Sequence, residues 1–329
     1  MSYSYNNQHS FEFCNACQQE KLHKFHFSTS EIRTKQPLEL IHTDLWGPAS
    51  VMSMNGYKYY VSFVDDYTRY NWIFPLVLKS DALKTFKTFK RLVEKQFNMP
   101  IKTLQSVMGR EFRIFHTFLQ QEGIQSRFSC PHSYHQNGVV ERKHRHIVET
   151  SLTLLTQANM PLSFWWEAFH TASFLINRMP TSVLNNVSPF QKLHHQLPDY
   201  QFLKVFGYAC YLLLKPYNSH KLNFHSKKCL FLGYSPLHKS YKCLYKLRRI
   251  YIAIHVQFNE YEFPYSEMFS PSSFSQSSVD QSLFSSPLCT IYNNSSYQSP
   301  VALPCSAVLP TPGSSASNQH QEQPSPSRS

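Results

Sequence analysis

The 329-residue sequence predicts a mixed α/β core followed by a small β-barrel and a disordered tail. Three observations carry that prediction. An apolar strand meander passes into alternating helix and strand patterns before Pro198; beyond it come short apolar strands separated by turn signals. From about Ser270 onward Ser, Pro, Gln and Asn dominate, and Asp280, Glu322 and Arg328 are the only charges. Strand and helix patterns that follow one another in this way define an α/β arrangement, whereas a segment too poor in apolar residues to bury a core stays unfolded.

The elements follow in order. Leu38 to Asp44 reads as a strand, and Tyr57 to Val64 follows after the Asn55-Gly56 turn signal. Trp72 to Val77 completes an antiparallel meander, with Pro75 pointing to an edge strand or a bulge. Ser80 offers an N-cap for a helix whose apolar positions Ala82, Phe86, Phe89 and Val93 recur at helical spacing until Pro100. Lys84, Lys87, Lys90 and Arg91 lie off that stripe. Ile101 to Ser106 returns to strand character, and Ile114 to Gln121 reads as helix. Gly138 to Gln157 forms a long helical pattern with Val140, Ile147, Val148, Leu154 and Leu155 on one arc and Glu141 at its edge. A further helix runs from Ser163 to about Arg178, and strands are expected at 206–214, 229–234, 241–245 and 250–258.

Charge narrows the functional classes. The chain carries a formal +12, and removing the tail leaves 31 basic against 18 acidic residues on 1–269, a net +13. Between Asp199 and Glu260 there is no acidic residue, while ten Lys and Arg accumulate, among them Lys242, Arg248 and Arg249. A polyanion is the natural partner of such a surface, with a solvated basic face as the plainer alternative. The aromatic, basic segment Tyr241 to Tyr251 suits either nucleic-acid stacking or an alternating strand core, and the core reading is preferred. No apolar run approaches the length of a membrane span and no signal-peptide pattern precedes the cysteines. The sparse cysteine pattern fits a reduced, intracellular protein. Cys14 and Cys17 supply half of a tetrahedral zinc site.

Three segments then fall together: Leu40-Ile41-His42-Thr43-Asp44-Leu45-Trp46-Gly47-Pro48, Leu104 to Phe112, and His135-Gln136-Asn137-Gly138-Val139-Val140-Glu141-Arg142-Lys143. This combination resembles the catalytic core of the integrase encoded by copia-type retrotransposons, which carries an Asp, Asp, Glu metal-binding triad. Asp44 and Glu141 fill the first and third places, and Val107 stands in the second. Thirty-three residues separate Val107 from Glu141, close to the family's spacing. Segments 204–210 and 231–235 resemble the small barrel that follows that core, and Cys14 and Cys17 resemble a truncated remnant of its preceding zinc-binding segment.

The resemblance implies a ribonuclease-H-like fold, Mg2+ or Mn2+ held by Asp44 and Glu141, and DNA as partner of an oligomer acting in the nucleus. Lys143, Arg145, Lys242, Arg248 and Arg249 are the candidate nucleic-acid contacts. It divides the chain into a zinc-segment remnant at 1–33, a catalytic core at 34–198, a small β-barrel at 199–265 and a Ser/Pro-rich linker at 266–329. The family chemistry joins DNA by phosphoryl transfer, with two divalent ions stabilising the attacking and leaving oxygens. Val107 has no oxygen to donate, Arg110 replaces a glycine of the family pattern, and Tyr134 and His135 depart from it as well. Asp65, Asp66 and Glu111 are the carboxylates nearest to a substitute. The expected function is therefore that of a catalytically dead integrase fragment. A non-enzymatic nucleic-acid-binding remnant or domesticated domain is the alternative, and a zinc-dependent regulator using Cys14 and Cys17 a third reading.

Overall fold

The computed structural model describes residues 34–269 apart from 108, 131–133, 214–223, 236–237 and 247–248, and it leaves the side chains at 110, 111, 113, 134 and 135 undescribed. Strands β1 (Leu40–Trp46), β2 (Tyr59–Asp65) and β3 (Asn71–Leu76) form the antiparallel meander. Strands β4 (Thr103–Ser106) and β5 (Gln125–Phe128) add in parallel, which gives the order β3-β2-β1-β4-β5. Pro75 lies in β3, at the sheet edge, where its missing N–H costs least.

Successive strand residues face opposite sides, and that alternation decides what each face of the sheet covers. Ile41, Leu45, Val61 and Phe63 belong to one core with helices α1 (Ala82–Phe97) and α2 (Arg110–Gln121). Trp46, Tyr60 and Ile73 belong to another, with α3 (Gly138–Gln157) and α4 (Trp165–Arg178). Helix α1 buries the stripe read from its spacing, Ala82, Phe86, Phe89 and Val93, and Phe89 stacks on Phe63 at 4.3 Å. Burying each of the larger side chains contributes roughly 1.5–3 kcal/mol. Ser80 does not cap this helix; it lies in a 3-10 turn, Lys79–Asp81, and Asp81 precedes the first helical residue. The helix ends at Asn98 in the left-handed region (φ 51°), two residues before Pro100.

Strands β6 (Ala209–Leu213), β7 (Ser226–Tyr234), β8 (Tyr241–Leu244), β9 (Ile250–Ala253) and β10 (Val256–Asn259) form a second, antiparallel sheet in the order β10-β6-β7-β8-β9. It is the expected small β domain, drawn as an open sheet with β9 and β10 at its two edges rather than as a closed barrel. The apolar run from Ile250 to Phe258 divides at Ile254 and His255 into those two edge strands. Short helices α5 (Pro189–His194) and α6 (Tyr265–Met268) flank this unit in sequence; Ser188 caps α5 by accepting the Gln191 N–H at 3.1 Å.

The second sheet rests on the far side of the α3–α4 layer. Leu155, Ala158, Phe164 and Ala168 share a core with Phe206, Leu230, Leu232 and Leu244. Contact is close enough to require glycine at one point. Gly233 has φ +107°, and a Cβ there would sit 2.1 Å from Thr171 Oγ1. Beside it, Lys242 of β8 and Glu167 of α4 form a buried ion pair, 6% and 5% exposed, and Asn55 donates to the second Glu167 oxygen at 3.2 Å. No helix among the described residues is long and apolar enough to cross a membrane.

Candidate active site

Asp44 lies on β1 facing the α3–α4 layer, with 22% of its side chain exposed. Two side-chain amides dock the start of α3 over this end of the sheet. Asn137 Nδ2 donates to the Thr43 carbonyl at 3.1 Å, and Gln105 Nε2 donates to the Gln136 carbonyl at 2.5 Å. Glu141, half-buried, is in the first turn of the helix so anchored. The parallel register of β1 and β4 pairs Leu40 with Thr103, Ile41 with Leu104 and His42 with Gln105. The pairing ends there, and Val107 follows Ser106, the last residue of β4.

A histidine completes this surroundings. His144, one turn after Glu141, is 7% exposed, and its Nε2 stands 3.7 Å from Asp44 Oδ2. Its Nδ1 is 2.6 Å from the Tyr60 hydroxyl. Burial holds the imidazole down at about 4, so near neutral pH it is uncharged and its contact with Asp44 is not an ion pair. Burial, then the charge of Asp44, pushes the Tyr60 hydroxyl well up, so it stays protonated. His144 Nε2 has no hydrogen-bond partner among the described residues. Sequence reading passed over His144 and Tyr60; the Glu141-to-His144 spacing of three was the one available signal, since residues so spaced share a helix side.

Asp65 and Asp66 stand at the other end of β1, where Ile41 pairs with Asp65, whereas Asp44 pairs with Ser62. Asp65 is buried and accepts from the backbone N–H groups of Leu38 and Thr68 at 2.8 and 2.7 Å and from the Thr68 hydroxyl at 2.6 Å; burial raises its pKa. Asp66 contacts Arg69 at 2.8 Å, His42 at 3.2 Å and Thr34 at 3.0 Å. Against the upward effect of burial, the His42 hydrogen bond and the Arg69 charge hold it at about 2. Both carboxylates are committed to the loop that closes this end of the sheet. The side chain of Glu111 lies outside the described residues, as do those of Arg110, Tyr134 and His135.

The candidate nucleic-acid residues differ in exposure. Arg145 is exposed on α3, and Arg249 is exposed with its guanidinium 5.1 Å from the Tyr251 ring centroid. Lys143 is half-buried and is pushed down to about 8, by burial first and the Arg69 charge second. Lys242 is a correction: it sits in the core paired with Glu167, and its ammonium is not available to a phosphate. Strand alternation hid this, because every residue of β8 is buried. Arg248 lies outside the described residues. Tyr241 packs in the core of the second sheet, with Tyr245 and Tyr251 against it.

The donors fit only part of the ion pair that the resemblance implies. A divalent hard cation takes several oxygen ligands, and Val107, in the second acidic position of the resembled triad, has no oxygen to donate. Among the described residues no three His, Cys, Asp or Glu side chains are gathered as ligands. A two-ion centre does not fit, and zinc at Cys14 and Cys17 lies outside the described residues.

A five-stranded mixed sheet with helices on both faces carries Asp44 on its central strand β1 and is joined to a second, antiparallel sheet. Residues 34–134 match the integrase core domain family and residues 208–272 the retroviral polymerase SH3-like domain. The chain belongs to the integrase region of copia-type retrotransposon Pol polyproteins. It is 48% identical over 262 residues to the Retrovirus-related Pol polyprotein from transposon RE2 of Arabidopsis thaliana, covering 79% of this chain and 18% of that one. It is 36% identical over 223 residues to the corresponding polyprotein from transposon TNT 1-94 of Nicotiana tabacum, covering 67% of this chain and 17% of that one. The chain thus spans less than a fifth of the length of these relatives. Among solved structures it is similar to a chain of the simian T-cell lymphotropic virus intasome, with a TM-score of 0.44 and 15% identity over 76% of this chain and 86% of that one. The HTLV-2 integrase catalytic core, solved with magnesium, gives a TM-score of 0.38 at 16% identity over 49% of this chain and the whole of that one.

Proposed function

We propose that this chain is an integrase-type DNA-binding module whose phosphoryl-transfer site is disabled at Val107. The carrying observation is that Val107 stands at the family's second acidic position, directly after the last residue of β4, the strand that pairs in parallel with the strand of Asp44. A carboxylate at that point would bridge two ions that stabilise the attacking and leaving oxygens; an isopropyl group cannot. Asp44 and Glu141 keep the acidic character of the site, and the excess of basic residues on 1–269 favours a polyanionic backbone as partner. Arg145 and Arg249, both exposed, are the residues suited to phosphate contact.

The test is joining of a donor oligonucleotide end to plasmid DNA with Mg2+ or Mn2+, run on this chain beside its Val107→Asp variant. No joined product is expected from the chain itself, and product from it would overturn the reading. Product from the variant alone would show that the missing ligand is what disables the site.

A further inference from the structure

We infer that the outer face of α1 is a separate phosphate-contacting surface, which holds the backbone of duplex DNA on the side of the first sheet away from Asp44. This rests on the DNA-binding reading above and adds a place where the duplex is held. Five positions of α1 are exposed, Lys84, Lys87, Arg91, Lys95 and Gln96, and four of the five are cations. Spacings of three, four and four residues set those cations along one side of the helix, opposite the buried stripe of Ala82, Phe86, Phe89 and Val93. At 1.5 Å per residue the row is about 16 Å long. That length lies along about half of one duplex turn. Because α1 packs against the face of β1 that carries Ile41 and Leu45, while Asp44 faces α3 and α4, the sheet stands between the row and Asp44.

The row is not a stabilising device of the fold. Lys87 with Arg91 and Arg91 with Lys95 are like charges four residues apart, and Lys84 stands in the first turn, at the positive end of the helix dipole; each placement works against the helix. Nor are the charges neutralised. Glu94, the one acid of α1, contacts Lys90 at 2.7 Å and accepts the Ile101 N–H at 2.9 Å. Lys90 also meets Glu122 at 3.0 Å. Lys102, Lys204, Lys228 and Lys239 have carboxylate partners as well, whereas none of the four cations in the row has one among the described residues. Lys87 lies over the Phe118 ring of α2, 4.6 Å from its centroid, which steadies a side chain that is still exposed. No exposed position of α1 is aromatic or apolar, so the row has nothing on which to stack a base or to seat an apolar partner. Cations alone suit the phosphates of a duplex, which position it without reading its sequence.

The experiment measures binding of a fluorescent duplex oligonucleotide to the full chain across rising salt, in chelator, for three proteins. They are the parent, a row variant with Lys84→Gln, Lys87→Gln, Arg91→Gln and Lys95→Gln, and a control with Lys102→Gln, Lys204→Gln, Lys228→Gln and Lys239→Gln. Row variant and control lose the same formal charge, but only the first loses the row. Each phosphate contact removed should lower the log–log slope by about 0.9, so the row variant should lose about 2 to 4 from the slope and ~10-fold or more in affinity at low salt. The loss should be the same for duplexes of unrelated sequence, and the control should lose less than about 1. Should the row variant fail to fold, the pairs Lys84→Gln with Lys87→Gln and Arg91→Gln with Lys95→Gln are measured separately, each expected to lower the slope by about 1 to 2. A parent that binds DNA and a folded row variant, or folded pairs, with the parent slope would overturn the row alone and leave the DNA-binding reading standing. An equal loss in the control would do the same, since net charge would then explain it. A parent that binds no DNA at low salt would overturn both.

Discussion

Two buried polar clusters flank the α3–α4 layer, and they differ in whether their hydrogen-bonding capacity is used up. On the side of the second sheet, both oxygens of Glu167 have partners, Lys242 and Asn55. On the side of the first sheet, His144 is held by Tyr60 through one nitrogen while the other points toward Asp44 without a partner among the described residues. A satisfied buried network fixes one arrangement of the elements around it. An unsatisfied buried nitrogen costs free energy until something binds it. The first cluster is therefore a joint between the two sheets, whereas the second keeps one buried nitrogen without a partner among the described residues.

The sharpest way to break that contrast is at the joint. Lys242→Ala leaves the Glu167 carboxylate buried and alone, and should destabilise the chain by about 3–5 kcal/mol in urea unfolding. The double change Lys242→Met with Glu167→Leu should recover most of that loss, because replacing both partners leaves no orphaned charge. A loss below about 1 kcal/mol in Lys242→Ala would show that the pair is not buried in solution.

Acid should act next in size. His170 is pushed down to about 3 by burial, then by the charges of Lys242 and Arg178; His194 is pushed to about 4 by burial, then by Arg178 and His195. Both fold neutral, so below the unfolded value near 6.5 the unfolded chain binds protons that the folded chain does not. Stability contributed by each is complete above about pH 6.5 and falls as pH drops toward 4, by up to about 1.4 kcal/mol per pH unit for each histidine. His194→Gln should flatten the slope between pH 6.5 and 4 measured by denaturant midpoints; an unchanged slope would contradict this.

At the other cluster, Tyr60→Phe removes a hydrogen bond to a neutral ring and should cost about 1 kcal/mol without the large penalty expected at Lys242. The smallest effect on stability belongs to Arg145→Ala, within about 0.5 kcal/mol, since the side chain is exposed. Its effect should appear instead in DNA binding, where the salt slope falls by about 1, while a folded Lys242→Met, Glu167→Leu chain keeps the parent slope.

The legible parts of the sequence were those in which one periodicity dominated. The α1 stripe of Ala82, Phe86, Phe89 and Val93 and the whole of α3 could be read because burial on one side imposes helical spacing. Strand β5 was missed: Gln125-Ser126-Arg127-Phe128 has exposed or half-buried positions only, and its pairing to β4 comes from backbone hydrogen bonds that leave no apolar signature. Helix α5 was missed because six residues are too few for a period to show, although Ser188-Pro189 is a cap signal. In the site, Asp44, Val107 and Glu141 were singled out by their flanking motifs, whereas Tyr60 comes from a neighbouring strand and meets His144 only in three dimensions. Lys242 was misassigned for the same reason, since a lysine in a basic segment looks exposed until Glu167, 75 residues earlier, is folded against it.

The most direct measurement of the central claim is binding of a fluorescent duplex oligonucleotide to the full chain across rising salt, with the same samples run on a denaturing gel after addition of Mg2+ or Mn2+. Affinity should fall linearly in log–log form with a slope of several ion equivalents, and the DNA should remain uncut and unjoined. Salt-independent binding, no binding at low ionic strength, or metal-dependent cleavage or joining would contradict it.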